Sequence, residues 1–594
     1  CRSPSRQVTI TLSILSLVVS SRYLYWRTTE TLAFESPIGA FFGLGLYCAE
    51  LYAWLVLVLG YLQTSWPLDR PIRPLNTEPT DWPTVDIYIP TYNEDLQIVA
   101  DTALAASSLD YPKDRLRVYI LDDGRREEFR EFAEEAGVGY ITRDNNLHAK
   151  AGNMNNALKV TDGEFISIFD CDHIPVRSFL QLGVGWFLED PKLSLLQTPH
   201  HFYTPDPFQR NLVTGDRLQS EGDLFYQNVQ MGNDFWNATF FCGSCAIIRR
   251  AALDTVGGFP GGSVTEDAHT AIKMQKLGWN TAYLNVRMAA GLATDSFSVH
   301  VGQRIRWARG MTQIFRMDNP IFAGGRMNWM QRLCYLNAML HFQFPLPRFV
   351  FLTAPLAYLL FGQNIIHASA VTILAYAGPH LIHAWGTNSR SQGAYRRPMM
   401  GEVYESALCF HLIGPTIITM FDPNRGKFNV TQKGGAMDSE FFDWKIVRPH
   451  LICLAVLLFG IAFGFSKLLY PETFDVAIST LLLNVGWSLF NGLTILVAIA
   501  AARESRHPGT AIPLPAKLPV TLFFEDGHTL SAETETVSMA ATTIRLPDGF
   551  DLDGRTVSDI EMPSGPHIGV FPVELLDVEG KTMRLKFKEM PLYQ

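Results

Sequence analysis

Acidic side chains follow three apolar runs in the first half of the chain. Glu94 follows VDIYIPTYN, the pair Asp122 and Asp123 follows LRVYIL, and the pair Asp170 and Asp172 follows FISIF. Two carboxylates one residue apart at a strand end provide hard oxygen ligands, which suit Mg²⁺ or Mn²⁺ beside a diphosphate. A solvated turn is the alternative interpretation, because D-x-D also arises by chance.

Two later stretches place polar groups at predicted helix starts. HAKAGNMNNA puts His148 and Lys150 before a helix, where a lysine can meet phosphate charge, although a solvated basic turn fits equally well. VTEDAHTAIKM puts Glu266 and Asp267 at the start of an amphipathic helix. These acids either cap the helix or include a general base that takes a proton from an acceptor hydroxyl.

An aromatic and basic cluster follows in GQRIRWARG, which carries Gln303, Arg306 and Trp307. A tryptophan ring is a platform on which a sugar stacks, and an arginine nearby suits phosphate. The alternative is a basic interfacial helix with an aromatic anchor. Cys242 and Cys245 form a C-x-x-C without a second pair, so a zinc site is not expected.

Short β-rich runs alternate with amphipathic stretches between about residues 66 and 320. This order predicts an α/β domain with a largely parallel sheet. Ligands of such sheets bind beyond the carboxyl ends of the strands. The acids are therefore expected to face a common cleft.

Apolar segments flank this region and predict a membrane protein. The chain is 47% hydrophobic and only 18% charged, and its net charge of −9 argues against a nucleic-acid partner. A spanning helix needs about 20 apolar residues. Candidate spans are roughly 7–26, 38–62, 345–362, 366–386, 449–470 and 478–502, whereas 403–421 is expected to lie in the interface. Four crossings after residue 328 then return the chain to the side of the α/β domain, together with two basic loops.

The last segment, 503–594, is strand-rich, with Asp526-Gly527 and Glu579-Gly580 as hairpin turns, and predicts a small β-barrel. The predicted domains are 1–65 (membrane helices), 66–320 (α/β), 321–502 (interfacial and membrane helices) and 503–594 (barrel). Because the chain begins with Cys1 rather than Met, it is expected to be a fragment of a longer protein.

The motifs D-D-G, D-x-D, T-E-D and Q-x-x-R-W, in this order between apolar segments, resemble those of the processive family 2 glycosyltransferases. Within that class, stretches from VDIYIPTYNE to KFNVTQKGG resemble the catalytic subunits of bacterial cellulose synthases, over about residues 15–502. The resemblance implies a multi-domain membrane protein. A GT-A-type α/β glycosyltransferase domain is inserted between transmembrane helices and is followed by a PilZ-like β-barrel.

The resemblance also implies residue roles. Asp267 is the general base, with Glu266 and Asp123 as further catalytic acids, and Asp170 and Asp172 hold the metal. The nucleotide sugar is bound by Thr91, Tyr92, Glu94, Asp122, Asp123, Lys150, Asp170, Asp172 and Arg306. The acceptor is bound by Trp307, Gln303, Cys242 and Cys245. A gating loop within about 422–436 closes over the nucleotide through Phe428, Val430, Thr431 and Lys433.

The implied activity is processive, inverting transfer of glucose from UDP-glucose to the non-reducing end of a β-1,4-glucan, coupled to export across the bacterial inner membrane. Mg²⁺ or Mn²⁺ is the implied cofactor, both soluble domains are implied to be cytoplasmic, and a periplasmic partner subunit is implied. The alternatives are a synthase of another β-linked polysaccharide, such as another glucan, chitin or hyaluronan, and a non-catalytic membrane scaffold or nucleotide sensor.

The predicted barrel departs from the PilZ pattern. Arg503 and Arg506 are three residues apart where R-x-x-x-R has four, and TVSMAA has Thr536 and Ala541 where D-x-S-x-x-G has Asp and Gly. Both motifs are degenerate, which argues against cyclic di-GMP as an activator.

Overall fold

A computed structural model of the chain describes residues 4–32, 36–75, 78–212, 218–322, 324–425, 435, 439–470, 476–505, 513–538, 540–547, 550, 552, 554–564 and 567–588. The chain divides into two compact units, Cys1–Gln432 with Phe441–Glu504, and Lys433–Glu440 with Ser505–Gln594. The predicted boundaries at 65 and 320 fall inside the first unit, and the four-domain division stays a prediction.

The α/β part of the first unit contains one large mixed sheet of seven strands, as the sequence predicts in part. The strands of the unit are β1 Val85–Thr91, β2 Leu116–Asp122, β3 Gly139–Ile141, β4 Phe165–Ile168, β5 Ile174–Pro175, β6 Leu193–Gln197, β7 His201–Phe202, β8 Ala246–Arg249, β9 Asn280–Tyr283, β10 Ala289–Gly291, β11 Phe441–Phe442 and β12 Arg503–Glu504.

The order of the large sheet is β3-β2-β1-β4-β8-β6-β9. Strands β1 to β4 are mutually parallel where they pair, whereas β8 runs antiparallel to both β4 and β6. The parallel strands are buried along nearly their whole length, for example Ile87, Ile120 and Ile166, as expected for a sheet with helices on both faces.

Eighteen α-helices occur in the part of the chain that the structure describes. They are α1 Pro4–Glu30, α2 Pro37–Thr64, α3 Leu96–Ser107, α4 Glu127–Ala136, α5 Ala149–Leu158, α6 Phe179–Gly183, α7 Gly185–Glu189, α8 Pro207–Asn211, α9 Gln230–Phe235, α10 Arg250–Val256, α11 Glu266–Lys276, α12 Phe297–Met317, α13 Trp329–His341, α14 Pro345–Phe361, α15 Ala370–Gln392, α16 Met400–Phe421, α17 Trp444–Ser466 and α18 Ile478–Ala500.

Five helices are long and apolar enough to cross a membrane, namely α1, α2, α16, α17 with the turn after it, and α18. A sixth span is the pair α13 and α14, which passes the same test only when the two helices are counted together and which is bent by 52°. By length and composition alone, the described residues therefore hold five or six candidate spans.

Two sequence predictions about spans differ from this result. Helix α15 was predicted to cross, but it is not apolar enough to count among these candidate spans. It nevertheless lies antiparallel along the candidate span α1. His380 Nδ1 is 2.8 Å from Ser20 Oγ, and Tyr376 stacks on Trp26 with ring centroids 4.5 Å apart. Helix α16 was predicted to be interfacial, but it is long and apolar enough to cross a membrane, and half of its most apolar segment is buried within the protein. The number of crossings after residue 328 therefore stays a prediction.

The second unit contains a closed six-stranded barrel, as the sequence predicts. The strands of this unit are β13 Leu514–Pro515, β14 Pro519–Phe524, β15 Thr529–Val537, β16 Ala541–Arg545, β17 Val557–Ser564, β18 His567–Glu579 and β19 Thr582–Phe587. The short strand β13 pairs with β15 and is not one of the six strands of the closed barrel. The order β15-β14-β17-β18-β19-β16 closes because β16 also pairs with β15. Alternate residues such as Leu522, Ile560 and Leu585 are fully buried inside.

Candidate active site

The carboxyl ends of β1, β2 and β4 meet at one edge of the large sheet. Thr91, the last residue of β1, is paired with Asp122, the last residue of β2, and the amide of Asp123 donates to the Thr91 carbonyl (3.0 Å). Strand β4 runs parallel to β1 on its other side and leads into Asp170. The sheet therefore brings three of the predicted acid groups to a common edge.

The turn after β1 is organised by Glu94. Its carboxylate accepts hydrogen bonds from the Thr91 hydroxyl (2.8 Å) and from the amides of Tyr92 (2.9 Å) and Asn93 (3.2 Å). Arg126 donates to Thr91 Oγ1 (3.0 Å) and to the Glu94 carbonyl (2.5 Å). Glu94 thus shapes the turn, and the ring of Tyr92, which is half exposed, stands at its outer side.

The carboxylate of Asp122 is fully buried and surrounded by donors from the protein itself. It accepts from the amides of Gly124 and Arg126 (2.8 Å each), from the Arg126 guanidinium (2.9 Å) and from the Tyr140 hydroxyl (3.0 Å). These contacts fix the Asp122 carboxylate at the end of β2.

Arg143 forms a two-pronged ion pair with Asp123. Its Nε and Nη2 donate to the two carboxylate oxygens, each at 2.6 Å, and both side chains are almost fully buried. The same guanidinium donates to the carbonyls of Leu147 (2.6 Å) and Ala149 (2.8 Å). Because both oxygens of Asp123 are paired with a cation, we do not retain Asp123 as a proton-transfer group.

Lys150 lies at the centre of the predicted residues. It is in the first turn of α5, and its ammonium donates to Asp170 Oδ1 and to the carbonyl of Gly243 (2.7 Å). Burial lowers the pKa of Lys150, but the negative charges of Asp170 and Glu266 outweigh that effect and leave the pKa raised. Lys150 is therefore a fixed cation between the end of β4 and the loop before β8.

Asp170, Asp172 and His173 can each offer one ligand atom, and these atoms lie within 4.8 Å of one another. The hydrogen bonds that hold this loop include those from the Asp170 amide to Ser244 Oγ (2.8 Å), from Thr102 Oγ1 to the Cys171 carbonyl (2.7 Å) and from the Leu292 amide to Asp172 (3.0 Å).

The donor chemistry of this loop fits a divalent cation. Two carboxylates and one imidazole suit Mn²⁺, and the two carboxylates suit Mg²⁺. The imidazole of His173 is almost fully buried, and neither of its nitrogens has a hydrogen-bond partner among the described residues. Its Nδ1 lies 3.4 Å from Asp172 Oδ1, so the imidazole and this carboxylate can offer neighbouring ligand atoms to one cation.

Glu266 and Asp267 begin α11 and lie half-buried beside Lys150. Burial, followed by the negative charge of Glu266, raises the pKa of Asp267 to about 7. Burial also raises the pKa of Glu266, against the opposing charges of Lys150 and Arg306. A β-carbon on Gly243 would lie 3.1 Å from Asp267 Oδ2, so glycine at that position leaves room for the carboxylate.

Gln303, Arg306 and Trp307 all lie on α12. Between them, the guanidinium of Arg304 stacks 4.2 Å from the centre of the Trp307 ring. Arg304 also forms an ion pair with Glu221. The Nε2 atom of His300 lies 3.0 Å from the same Glu221 carboxylate. The Trp307 ring is therefore backed by a fixed arginine.

A cavity of about 1660 Å³ extends from these residues into the helices of the first unit. Asp267, Cys242, Gln303 and Trp307 line one part of it, and a π-helical turn, Phe225–Val229, contributes Phe225 and Tyr226. Residues of α2, α13, α14 and α16 line the part between the membrane candidates, among them Tyr52, Phe342, Arg348 and Glu402.

The two cysteines predicted to contact the acceptor differ. Cys242 lines the cavity, and burial together with the charge of Asp267 raises the pKa of its thiol well above its ordinary value. Cys245 is fully buried at the start of β8, in left-handed backbone conformation (φ 56°), and is not among the residues that line the cavity. We therefore do not retain Cys245 as an acceptor contact. The gating-loop residues Phe428, Val430, Thr431 and Lys433 lie outside the described residues.

Two family profiles match adjacent parts of the chain. Glycosyl transferase family 2 matches residues 86–257, and the family described as Cellulose synthase matches residues 254–381. The UDP-forming cellulose synthase catalytic subunit of Pseudomonas fluorescens strain SBW25 is 51% identical over 591 residues, which cover 100% of this chain and 80% of that protein. The chain belongs to the cellulose synthase catalytic subunit family.

Further relatives agree with this membership. The cellulose synthase 1 catalytic subunit of Komagataeibacter xylinus is 49% identical over 92% of this chain and 73% of its own length. Cellulose synthase 2 of Novacetimonas hansenii is 52% identical over 98% of this chain, and this chain spans 38% of that protein. The predicted family is therefore confirmed.

Solved structures share parts of the architecture with this cellulose synthase family member. The mannosyltransferase PcManGT from Pyrobaculum calidifontis, solved with GDP-Man and Mn²⁺, is 19% identical with a TM-score of 0.45, covering 65% of this chain and 100% of that chain. The PilZ domain of CeSA from a cellulose synthesizing bacterium is 19% identical with a TM-score of 0.13, covering 14% and 85%. Both scores are too low to carry an argument about function.

Sequence reasoning missed several residues of the candidate active site of this family member. Arg126 and Arg143 fix the carboxylates of Asp122 and Asp123, His173 lies in the cluster of Asp170 and Asp172, and Ser244 accepts from the Asp170 amide. His173 directly follows Asp172 and Ser244 directly precedes Cys245, so both stand beside predicted residues and only their roles were missed. Arg126 and Arg143 lie in charged stretches whose partners are set by tertiary contacts.

Proposed function

We propose that the protein transfers glucose from UDP-glucose to the non-reducing end of a growing β-1,4-glucan and passes the product into the cavity between its helices. The observation that carries this proposal is the grouping of Lys150, Asp170 and Asp267, the last of which lines the same cavity as Trp307. Family membership supports the donor and the product.

The residues divide the reaction between them. Asp267 accepts the proton of the acceptor hydroxyl, whose oxygen forms the new bond to the anomeric carbon while the bond to the UDP oxygen breaks. Lys150 and Arg306 offset the negative charge that passes to the diphosphate. Because a single displacement inverts the anomeric carbon, an α-linked donor yields a β-linked product.

A divalent cation is part of the proposal, with Asp170, Asp172 and His173 as its ligands. When bound, it neutralises charge on the diphosphate leaving group. Support for this proposal comes from the short distances within the cluster and from the buried imidazole of His173, whose nitrogens make no hydrogen bond to the described residues.

The acceptor is proposed to stack on Trp307 and to contact Gln303 and Cys242, all of which line the cavity. A polysaccharide is polar along its length, and lipid offers it no hydrogen bonds, so a cavity lined by polar and aromatic groups is a suitable path.

We propose an inner-membrane location with both soluble parts cytoplasmic, and a periplasmic partner where the glucan leaves.

The proposal does not include cyclic di-GMP as an activator. Thr536 and Ala541 replace the expected Asp and Gly, and Ser538 Oγ instead accepts from the amide of Ala541 (2.9 Å), closing its own turn.

The test is incorporation of radiolabelled glucose from UDP-glucose by the purified chain, with Mn²⁺ or Mg²⁺ and after chelation. The expected result is a metal-dependent insoluble product that a β-1,4-glucanase digests. Incorporation from UDP-N-acetylglucosamine or UDP-glucuronate instead would favour chitin or hyaluronan. Binding of UDP without turnover of any of these donors would contradict the proposal and favour a nucleotide sensor.

A further inference from the structure

Gln313, on α12, forms hydrogen bonds with two segments that are far apart in the sequence. It is almost fully buried, with 5% of its surface exposed. Its Oε1 accepts a hydrogen bond from the Val264 amide (3.0 Å), and its Nε2 donates to the Pro423 carbonyl (2.7 Å). Both ends of the amide are thus used, and each partner fixes which atom is oxygen and which is nitrogen.

The first partner lies directly before the proposed base. Val264 precedes Thr265, the N-cap residue of α11, and Asp267 is in the first turn of that helix. Thr265 makes no capping hydrogen bond with its side chain, and in the part of the chain that the structure describes its hydroxyl has no partner. A helix start that lacks its usual side-chain cap depends on other contacts for its position.

Helix α12 supplies those contacts at two neighbouring positions. Gln313 bonds the Val264 amide, and one turn earlier Gly310 packs so closely that a β-carbon there would lie 2.4 Å from Thr265 Oγ1. The same helix carries Gln303 and Trp307 toward the cavity. The base and the acceptor platform are therefore held against one rigid element.

The second partner lies where the chain leaves α16. Pro423 follows the last residue of that helix, Phe421, by two positions. Because one amide bonds both Val264 and Pro423, a single side chain links the end of α16 to the start of α11.

We propose that Gln313 is a positioning residue that fixes the start of α11, and with it the Asp267 carboxylate, relative to α12 and the end of α16. It contacts no substrate in this role. The inference rests on the proposed function, since it gives Asp267 the task of accepting the acceptor proton.

Gln331 provides a matched control. It is also 5% exposed, its Oε1 accepts from the Asn328 amide (2.8 Å), and its Nε2 donates to the Asn237 carbonyl (2.7 Å). It caps α13 and is not among the cavity-lining residues. Gln331→Met therefore removes the same kind of bonds as Gln313→Met, away from α11.

The experiment compares Gln313→Met, Gln313→Glu and Gln331→Met in the full chain, by UDP release from UDP-glucose, UDP affinity and thermal unfolding. Both Gln313 variants are expected to lower kcat about tenfold or more, because misplacing a reacting group by about 1 Å costs up to about 100-fold. KM and UDP affinity are expected to stay within about twofold of wild type, since the variants leave binding contacts in place. Gln331→Met is expected to lower the unfolding temperature similarly and to keep kcat.

Unchanged kcat in Gln313→Met overturns the inference. An equal loss of kcat in Gln331→Met also overturns it, and so does loss of UDP affinity in both Gln313 variants, because either result assigns Gln313 to overall folding. If the wild-type chain itself releases no UDP from UDP-glucose, the proposed function fails instead.

Discussion

Lys150 and Asp170 form an ion pair that joins the start of α5 to the end of β4. The same ammonium bonds the Gly243 carbonyl, so it also reaches the loop that carries Cys242. One cation thus connects the proposed cation-binding loop with the acceptor side of the site.

Removing the Lys150 charge should weaken donor use. In Lys150→Met, Asp170, Glu266 and Asp267 lose their shared cation and repel the diphosphate. We expect kcat/KM for UDP-glucose to fall about 100-fold, since hydrogen bonds to charged groups contribute about 1.5–3 kcal/mol. The control is Lys159→Met, at the exposed C-terminal end of the same helix, which should keep activity. Wild-type activity in Lys150→Met would contradict this role.

The raised pKa of Asp267 sets the pH dependence. A general base acts only when deprotonated, so kcat/KM for UDP-glucose should fall as the pH drops through about 7 and level off above it. The free energy of unfolding changes with pH in the opposite direction to kcat/KM. Between its ordinary pKa of about 3.9 and its raised value, the folded state holds a proton that the unfolded state has lost. This group alone therefore lowers the free energy of unfolding as the pH rises across that window.

A pH series of initial rates and unfolding midpoints measures both effects. Replacing Asp267 by Asn should remove its contribution to the pH dependence of stability. A kcat/KM profile that stays flat from pH 5 to pH 8 would contradict the raised pKa.

Arg143 should act through Asp123. In Arg143→Lys the charge remains but the two-pronged pair and the bonds to Leu147 and Ala149 are lost, so KM for UDP-glucose should rise about tenfold with a smaller effect on kcat. A double-mutant cycle with Asp123→Asn should give a coupling of about 1–3 kcal/mol in binding. Additive effects of the two substitutions would show that Arg143 acts independently of Asp123.

Sequence reasoning predicted the elements better than the contacts between them. The sequence predicted that Glu94, Asp123 and Asp170 lie at one edge of the sheet. Each of them follows an apolar run, and the carboxyl ends of parallel strands meet at the same edge. The antiparallel strand β8 was not predicted, since Ala246–Arg249 is too short and too buried to show its direction. The pairing of Asp123 with Arg143 was missed because both are charged residues in loops, and only the fold brings them together.

The same limit applies to helices. Glu266 and Asp267 were correctly placed at a helix start, but nothing in the sequence shows that Thr265 leaves that start uncapped or that Gln313 supplies a bond instead. Cys245 was assigned to the acceptor together with Cys242 because the family resemblance implied it, whereas the structure buries the thiol of Cys245 directly before β8.

Two glycines of α12 allow a controlled test of how closely this helix packs against the start of α11. A β-carbon on Gly310 would overlap Thr265, whereas one on Gly302 meets nothing within 4 Å. Gly310→Ala should therefore shift the start of α11 and lower kcat about tenfold. Gly302→Ala should keep kcat and stabilise the helix by about 0.5–1 kcal/mol. Initial rates measure the effect on kcat, and unfolding midpoints measure the effect on stability. Equal activity of the two variants would contradict the close contact between α12 and Thr265.

The central claim is that Asp267 accepts the acceptor proton at a site whose nucleotide side is built by other residues. The most direct measurement is UDP binding and glucan formation by Asp267→Asn and wild type in the same preparation. We expect glucan formation to fall by about 100-fold or more, as for the loss of a general base, while UDP affinity is retained. Polymer formation by Asp267→Asn at a rate near that of wild type would contradict the account.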